Sequence, residues 1–255
     1  MLVSEVMLQQ TQTSRVVEPW ERFLRRFPTP TSCADASLAD VLRLWEGLGY
    51  HRRAKALHGA ARMIRDEFDG EVPSSVSELL RLPGVGEYTA HAVASFAFNE
   101  RAAVLDTNVG RVLARAIANG TLGPVEARAM AFELLPRNDV AAFNQSMLDL
   151  GAQFCKSSPL CEGCPVARHC RWRREGGPDP APASAGVSRP QPAFFGSNRQ
   201  LRGRVLASLR HSPSTKRELD SVFSGVEANR RDQVLEGLVA DGLIVRNKSS
   251  IQLAE

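Results

Sequence analysis

The chain has 255 residues, 43% of them hydrophobic and 24% charged, with a net charge of +4 and a pI near 9.0. That is enough apolar material for one large or two modest domains with a real core. No apolar run approaches the ~20 residues of a membrane span, so no membrane-spanning helix is expected, and the mild basicity admits a polyanionic partner without demanding one.

The start, MLVSEVMLQQTQ, has neither a basic region nor a small-residue cleavage site, so a cytoplasmic location is expected. Residues 2–11 read as a helix with Val3, Val6, Met7 and Gln10 on one side and Glu5 in that apolar neighbourhood. Residues 15–27 form a second amphipathic helix through Val16, Val17, Trp20, Phe23, Leu24 and Phe27, ended by Pro28 and Pro30. A third helix over 38–45 is broken by Gly47-Leu48-Gly49-Tyr50. A fourth, over 51–68, carries Arg52, Arg53, Lys55 and Arg62, which either contact an anion or form a solvated face.

Residues 75–82 lead into Pro83-Gly84-Val85-Gly86, a tight turn before a helix with Ala90, Val93, Ala94, Phe96 and Ala97 on one face. Glycines two apart bare amide N–H groups at a helix start, where the dipole favours an anion such as a DNA phosphate. An ordinary capped helical turn would look the same. Further helices follow over 108–119, 124–135 and 141–154, and no alternating strand pattern occurs before residue 240. The fold class is all-α.

Cys155, Cys161, Cys164 and Cys170 lie within sixteen residues as C-x5-C-x2-C-x5-C, while Cys33 stands apart and reads as structural. Four thiolates so spaced close either a zinc site or a [4Fe–4S] cluster, and a single C-x2-C pair favours the cluster. Residues 176–196 contain five prolines and read as a linker. Three short helices (201–209, 216–222, 229–240) and a hairpin around Asn247-Lys248-Ser249-Ser250 then resemble a winged helix. The expected division is a main domain over 1–174 with its cluster loop at 155–170, a linker over 175–197 and a C-terminal domain over 198–255.

LPGVGEYTA, LDTNVGRV and the four cysteines together resemble the helix-hairpin-helix DNA glycosylases. SEVMLQQTQ, WEGLGYHRRAKAL and FNQSMLDLGAQFC are similar to the adenine DNA glycosylases of the MutY family. The resemblance implies a six-helix barrel and a cluster lobe, with double-stranded DNA held between them. The implied activity is removal of adenine opposite 8-oxoguanine or guanine. Glu5 then matches the general acid that protonates adenine, and Asp106 the carboxylate that stabilises the sugar cation. On their own these residues would be a solvated helix charge and a plain helix cap. Tyr88 stands where bifunctional relatives carry a Schiff-base lysine, which implies a monofunctional enzyme. Asn108 is placed in the catalytic pocket.

Gln9, Gln10, Thr11, Leu48 and Tyr50 are placed beside the oxidised guanine, although Leu48 and Tyr50 would also suit a core. Gly84, Val85 and Gly86 are placed on the DNA backbone, and Cys155, Cys161, Cys164 and Cys170 on a [4Fe–4S] cluster. A monomer is expected. The chain departs from the family in three ways: no helix and strand precede Glu5, which reads as a mis-chosen start; no nucleotide-hydrolase-like C-terminal domain is evident; and the gap between Cys155 and Cys161 is one residue short. The alternatives are a thymine or uracil mismatch glycosylase, or a catalytically impaired DNA-binding iron–sulfur protein.

Overall fold

The computed structural model describes residues 1–187, 193–247 and 249–255. The chain packs as two units. A terminal unit takes Leu2–Pro73, Leu82–Gly84 and Gln191–Glu255; a mid-chain unit takes Met1, Ser74–Arg81 and Val85–Pro190. The packing does not follow the linear division at 174 and 198, because the C-terminal helices cluster with the first five. No helix of the described residues is long and apolar enough to cross a membrane.

The terminal unit begins with α1 (Leu2–Leu8), α2 (Val17–Arg26), α3 (Pro30–Ala34), α4 (Leu38–Leu44) and α5 (Arg52–Glu67). On α5, Ala54, Leu57, Ala61 and Ile64 make one buried stripe at helical spacing, and α1, α3 and α4 pack on that helix. Phe23 and Trp45 are fully buried and meet edge to face, 6.5 Å between centroids. Pro30 was expected only to end α2, but it also opens α3. The Thr29 hydroxyl accepts the Ser32 N–H at 3.1 Å, and Ser32 Oγ accepts the Thr29 N–H at 3.1 Å. A proline just inside that cap costs no hydrogen bond, since its N–H would have no helical partner. Cys33, on α3, is buried, which pushes its thiol up to about 12 and leaves it inert.

The mid-chain unit holds α6 (Val76–Leu79), α7 (Glu87–Phe98), α8 (Thr107–Val112), α9 (Pro124–Glu133), α10 (Val140–Gln153) and α11 (Arg171–Glu175). Val109, Leu113, Leu122, Ala127 and Ala131 form its core. After α8 the helix widens into a π-helical turn over Leu113–Ala118, in which Arg115 is buried. Buried Asn144 of α10 donates to Ser95 Oγ at 2.9 Å and to the Ala102 carbonyl at 2.8 Å, and accepts the Val104 N–H at 3.2 Å. It thereby ties down the segment that leads to Asp106.

The first part of the proline-rich stretch is not a free tether. Asp179 makes a two-pronged ion pair with Arg115 at 2.6 and 2.8 Å, Ala181 and Ser184 are buried, and the Ala185 N–H reaches the Leu122 carbonyl at 2.8 Å. Thr107 Oγ1 donates to the Gly186 carbonyl at 2.8 Å, so residues 179–186 form a strap along α8. Residues 188–192 of the expected linker lie outside the described residues.

The terminal unit closes with α12 (Asn198–Ser208), a 3-10 turn over Glu218–Phe223, α13 (Ala228–Ala240) and an antiparallel pair, β1 (Ile244–Arg246) and β2 (Ile251–Leu253). Ile244 sits opposite Leu253, and Ser214 bridges to Ile251. The second expected tail helix is therefore only a 3-10 turn. Lys248, in the hairpin turn, lies outside the described residues.

Candidate functional site

In the turn at residues 83–86, Gly84 has φ +78°, and a Cβ there would stand 2.6 Å from the Ala56 side chain. The glycine permits both the left-handed backbone and the close approach to α5. Gly86 has φ −96° and needs no special conformation, but it is the N-cap of α7 and a Cβ on it would meet nothing within 4 Å. The space beside this N-cap residue is therefore open. Val85 is buried, so its side chain packs and only its backbone could meet a ligand. Gln9 Nε2 donates to the Gly84 carbonyl at 3.3 Å.

Asp106 is the N-cap of α8. Its Oδ1 accepts the Val109 N–H at 2.8 Å and its Oδ2 accepts Asn108 Nδ2 at 2.8 Å. Burial pushes its carboxyl above the usual aspartate range, against the pull of those hydrogen bonds. Asn108 Oδ1 in turn accepts Arg111 Nη2 at 2.6 Å, and Arg111 Nε donates to the Cys155 carbonyl at 2.6 Å. A continuous set of hydrogen bonds therefore runs from the carboxylate to the first cysteine. Tyr88, on α7 in the same unit, is half-buried and lines a cleft of about 320 Å³ with His91, Leu105, Arg128 and Gly186.

Glu5 belongs to the terminal unit. It is 8% exposed on α1, a helix that also buries Leu2, Val6 and Met7, so the solvated-charge reading is removed. Gln9, Gln10, Thr11, Leu48 and Tyr50 come together around one side chain the sequence reading did not single out as a support, Arg53. Its Nη1 donates to the carbonyls of Val6 (3.0 Å), Met7 (2.9 Å) and Gln9. Its Nη2 donates to Thr11 Oγ1 (3.0 Å), Leu48 O (3.0 Å) and Gly49 O (3.3 Å). The guanidinium thus caps the last carbonyls of α1 and joins them to the loop after Trp45. Burial lowers its pKa to about 10.

Gln10 and Tyr50 both lie in the left-handed region, at φ +56° and +47°. Arg53 holds the carbonyl just before each of them, which supports two backbone conformations that are costly for a side chain. Leu48 is 2% exposed, so its side chain packs inside the unit. Arg52 pairs with Asp241 at 2.5 Å and Lys55 donates to the Asp241 carbonyl at 2.7 Å. Arg52, Arg53 and Lys55 are thus engaged within the protein, while Arg62 of the same helix is exposed.

Cys155, Cys161, Cys164 and Cys170 all line one apolar cavity of about 30 Å³, together with Phe154 and Trp172. Among the described residues no His, Cys, Asp or Glu group is gathered as a site for a single metal ion. The donor set around the cavity is all thiol, the chemistry that suits an iron–sulfur cluster. Arg115 borders it, with Nη1 3.5 Å from Cys155 Sγ and bonds to the Lys156 and Ser157 carbonyls at 2.5 and 3.2 Å. Arg111 and Arg115 were missed in the sequence. The available signal was helical spacing: Arg111 lies three residues after Asn108, on the same face.

A family model described as the HhH-GPD superfamily base excision DNA repair protein matches residues 3–137. An adenine DNA glycosylase of Mycolicibacterium smegmatis is 44% identical over 249 residues, 95% of this chain and 83% of that protein. Among solved structures, a thermostable thymine-DNA glycosylase superposes with a TM-score of 0.62 at 26% identity, over 68% of this chain and 83% of that one. A trapped endonuclease III–DNA covalent intermediate gives 0.61 at 28% identity, with the same coverage.

Proposed function

Since the chain belongs to the HhH-GPD superfamily of base excision DNA repair proteins, and within it to the adenine DNA glycosylases, we propose that it removes adenine mispaired with 8-oxoguanine or guanine. The observation that supports the chemistry most is Asp106. It is a half-buried carboxylate at a helix N-cap, both oxygens occupied by donors, aligned by Asn108 and Arg111. A carboxylate so held keeps its orientation while positive charge develops on a sugar. Glu5, buried on α1, supplies the proton that makes adenine a leaving group. Tyr88 carries no amine and forms no Schiff base, so base release proceeds without strand cleavage.

Gln9, Gln10, Thr11 and Tyr50 contact the strand bearing the oxidised guanine, with Leu48 packed beneath them. The backbone from Gly84 to Gly86 holds a phosphate at the start of α7. Cys155, Cys161, Cys164 and Cys170 hold a [4Fe–4S] cluster, which when bound cross-links residues 155–170. The Arg111 and Arg115 bonds to that loop then align α8.

The test is a duplex panel with A opposite 8-oxoguanine, A opposite G, T opposite G and U opposite G. Release of adenine alone is expected, with Glu5→Gln binding the duplex but releasing no base. Release of thymine or uracil instead would establish the second reading, which the fold likeness to a thymine-DNA glycosylase favours. Absence of release from every duplex would overturn both.

A further inference from the structure

None of the residues assigned above lies beyond Cys170. Within the terminal unit, however, α12 and the loop around Tyr50 face one cleft of about 450 Å³. Arg199, Arg204 and Arg210 come to it from the α12 side, Arg15 from the residues after α1, and Tyr50 and Phe194 add two aromatic rings. Gln10 and Thr11 line the same cleft, and no carboxylate lines it. The Arg199 guanidinium lies 5.1 Å from the Tyr50 ring centroid and 5.4 Å from that of Phe194, and it donates to the Tyr50 hydroxyl.

Two carboxylates lie nearby. Asp241 pairs with Arg52 and Arg202, outside the cleft, whereas Glu46 balances the cleft's own Arg210. Arg204 is exposed, and no carboxylate of the described residues pairs with it. With Arg210 balanced by Glu46, Arg199 and Arg204 of α12 and Arg15 from the segment after α1 still bring three guanidinium groups to a shared space, and an anion there offsets their charge. Guanidinium groups beside aromatic rings and side-chain amides match a nucleic-acid strand, whose phosphates and base faces are read by those groups.

We propose that α12 is part of the DNA-binding surface. The cleft takes the phosphate backbone of the strand that carries the oxidised guanine. Arg204 and Arg15 face its phosphates, and Arg199 acts as a positioning residue that holds the Tyr50 ring. This rests on the placement of Gln10, Thr11 and Tyr50 on that strand.

The test uses the full chain in a Glu5→Gln background, so that the duplex is not consumed. Affinity for an A:8-oxoguanine duplex is measured by anisotropy across a range of sodium chloride concentrations. Arg204→Ala should lower the slope of log K against log salt by about 0.9, the loss of one phosphate contact, and Arg204→Lys should retain it. Arg25→Ala, which removes an exposed cation of α2 outside the cleft, should leave the slope unchanged. An unchanged slope in Arg204→Ala, or an equal fall in Arg25→Ala, would overturn the proposal. Adenine release by the wild-type chain is scored separately. A fallen slope without any release refutes the glycosylase reading and keeps this one; release with an unchanged slope does the reverse.

Discussion

Gly151→Ala should destabilise the protein even though it places a better helix former inside a helix. In an unhindered helix interior alanine is favoured over glycine by about 1 kcal/mol. At this position the new Cβ would stand 2.5 Å from Asn108 Cβ and from the Asn108 carbonyl oxygen, and 2.6 Å from its carbonyl carbon. Carbon atoms pack best at about 3.5–4.0 Å, so α8 and α10 must separate by roughly 1 Å. Two of the three contacts are with backbone, which cannot rotate away, so the upper end of the overpacking cost applies, about 3 kcal/mol. The net loss is then about 2 kcal/mol. The displaced residue bonds both Asp106 and Arg111, so the shift reaches the carboxylate. Urea unfolding should show the lost stability, and single-turnover adenine release should fall about 10-fold or more, as small misplacements of catalytic groups do. A variant as stable as the wild type, with an unchanged rate, would refute the close packing of α10 on Asn108.

Arg53→Met should cost about 3 kcal/mol in urea unfolding, because it strands the buried carbonyls of α1 and of the Gly47–Gly49 loop. Arg53→Lys should fail to restore stability, since one ammonium cannot serve both groups of acceptors; full rescue by lysine would contradict the dual role. His51 is held neutral, its pKa lowered to about 4 by burial and by Arg210, Arg202 and Arg53. The unfolded chain takes up a proton near the ordinary value of 6.5 while the folded chain resists to about 4, so stability should be full above pH 6.5 and fall as pH drops through that window. At about 1.4 kcal/mol per pH unit the ceiling is roughly 3 kcal/mol. Urea midpoints at pH 7.5 and 5.0 measure it, and a His51→Gln variant should lose less stability over the same interval. Equal losses in the two proteins would remove His51 as the cause.

Local chemistry was legible where it depends on neighbours in the chain. Helical periodicity marked the long helices, Asp106 read as a helix cap, and the glycines at 47, 49 and 84 marked turns, where the backbone does take positive φ. The cysteine spacing marked a shared site, and the four residues do line one cavity. The order of motifs identified the family before any packing was known. Other features depended on pairs far apart in sequence, for which periodicity carries no signal. Arg53 was read as one cation in a helix face, yet its partners lie 42 to 47 residues earlier at Val6–Thr11 as well as in the adjacent loop. The proline-rich stretch was read as a tether, but Arg115, 64 residues away, binds Asp179 and fixes its first part. Residues 198–255 read as a separate domain, whereas α12 brings Arg199 to Tyr50 across 149 residues. The sequence by itself determined which groups could do chemistry, because acidity, thiolate character and backbone freedom are properties of single residues. Only the tertiary structure decided which of those groups are spent on holding the fold and which are left for DNA, because burial and pairing belong to residues that the chain brings together from a distance.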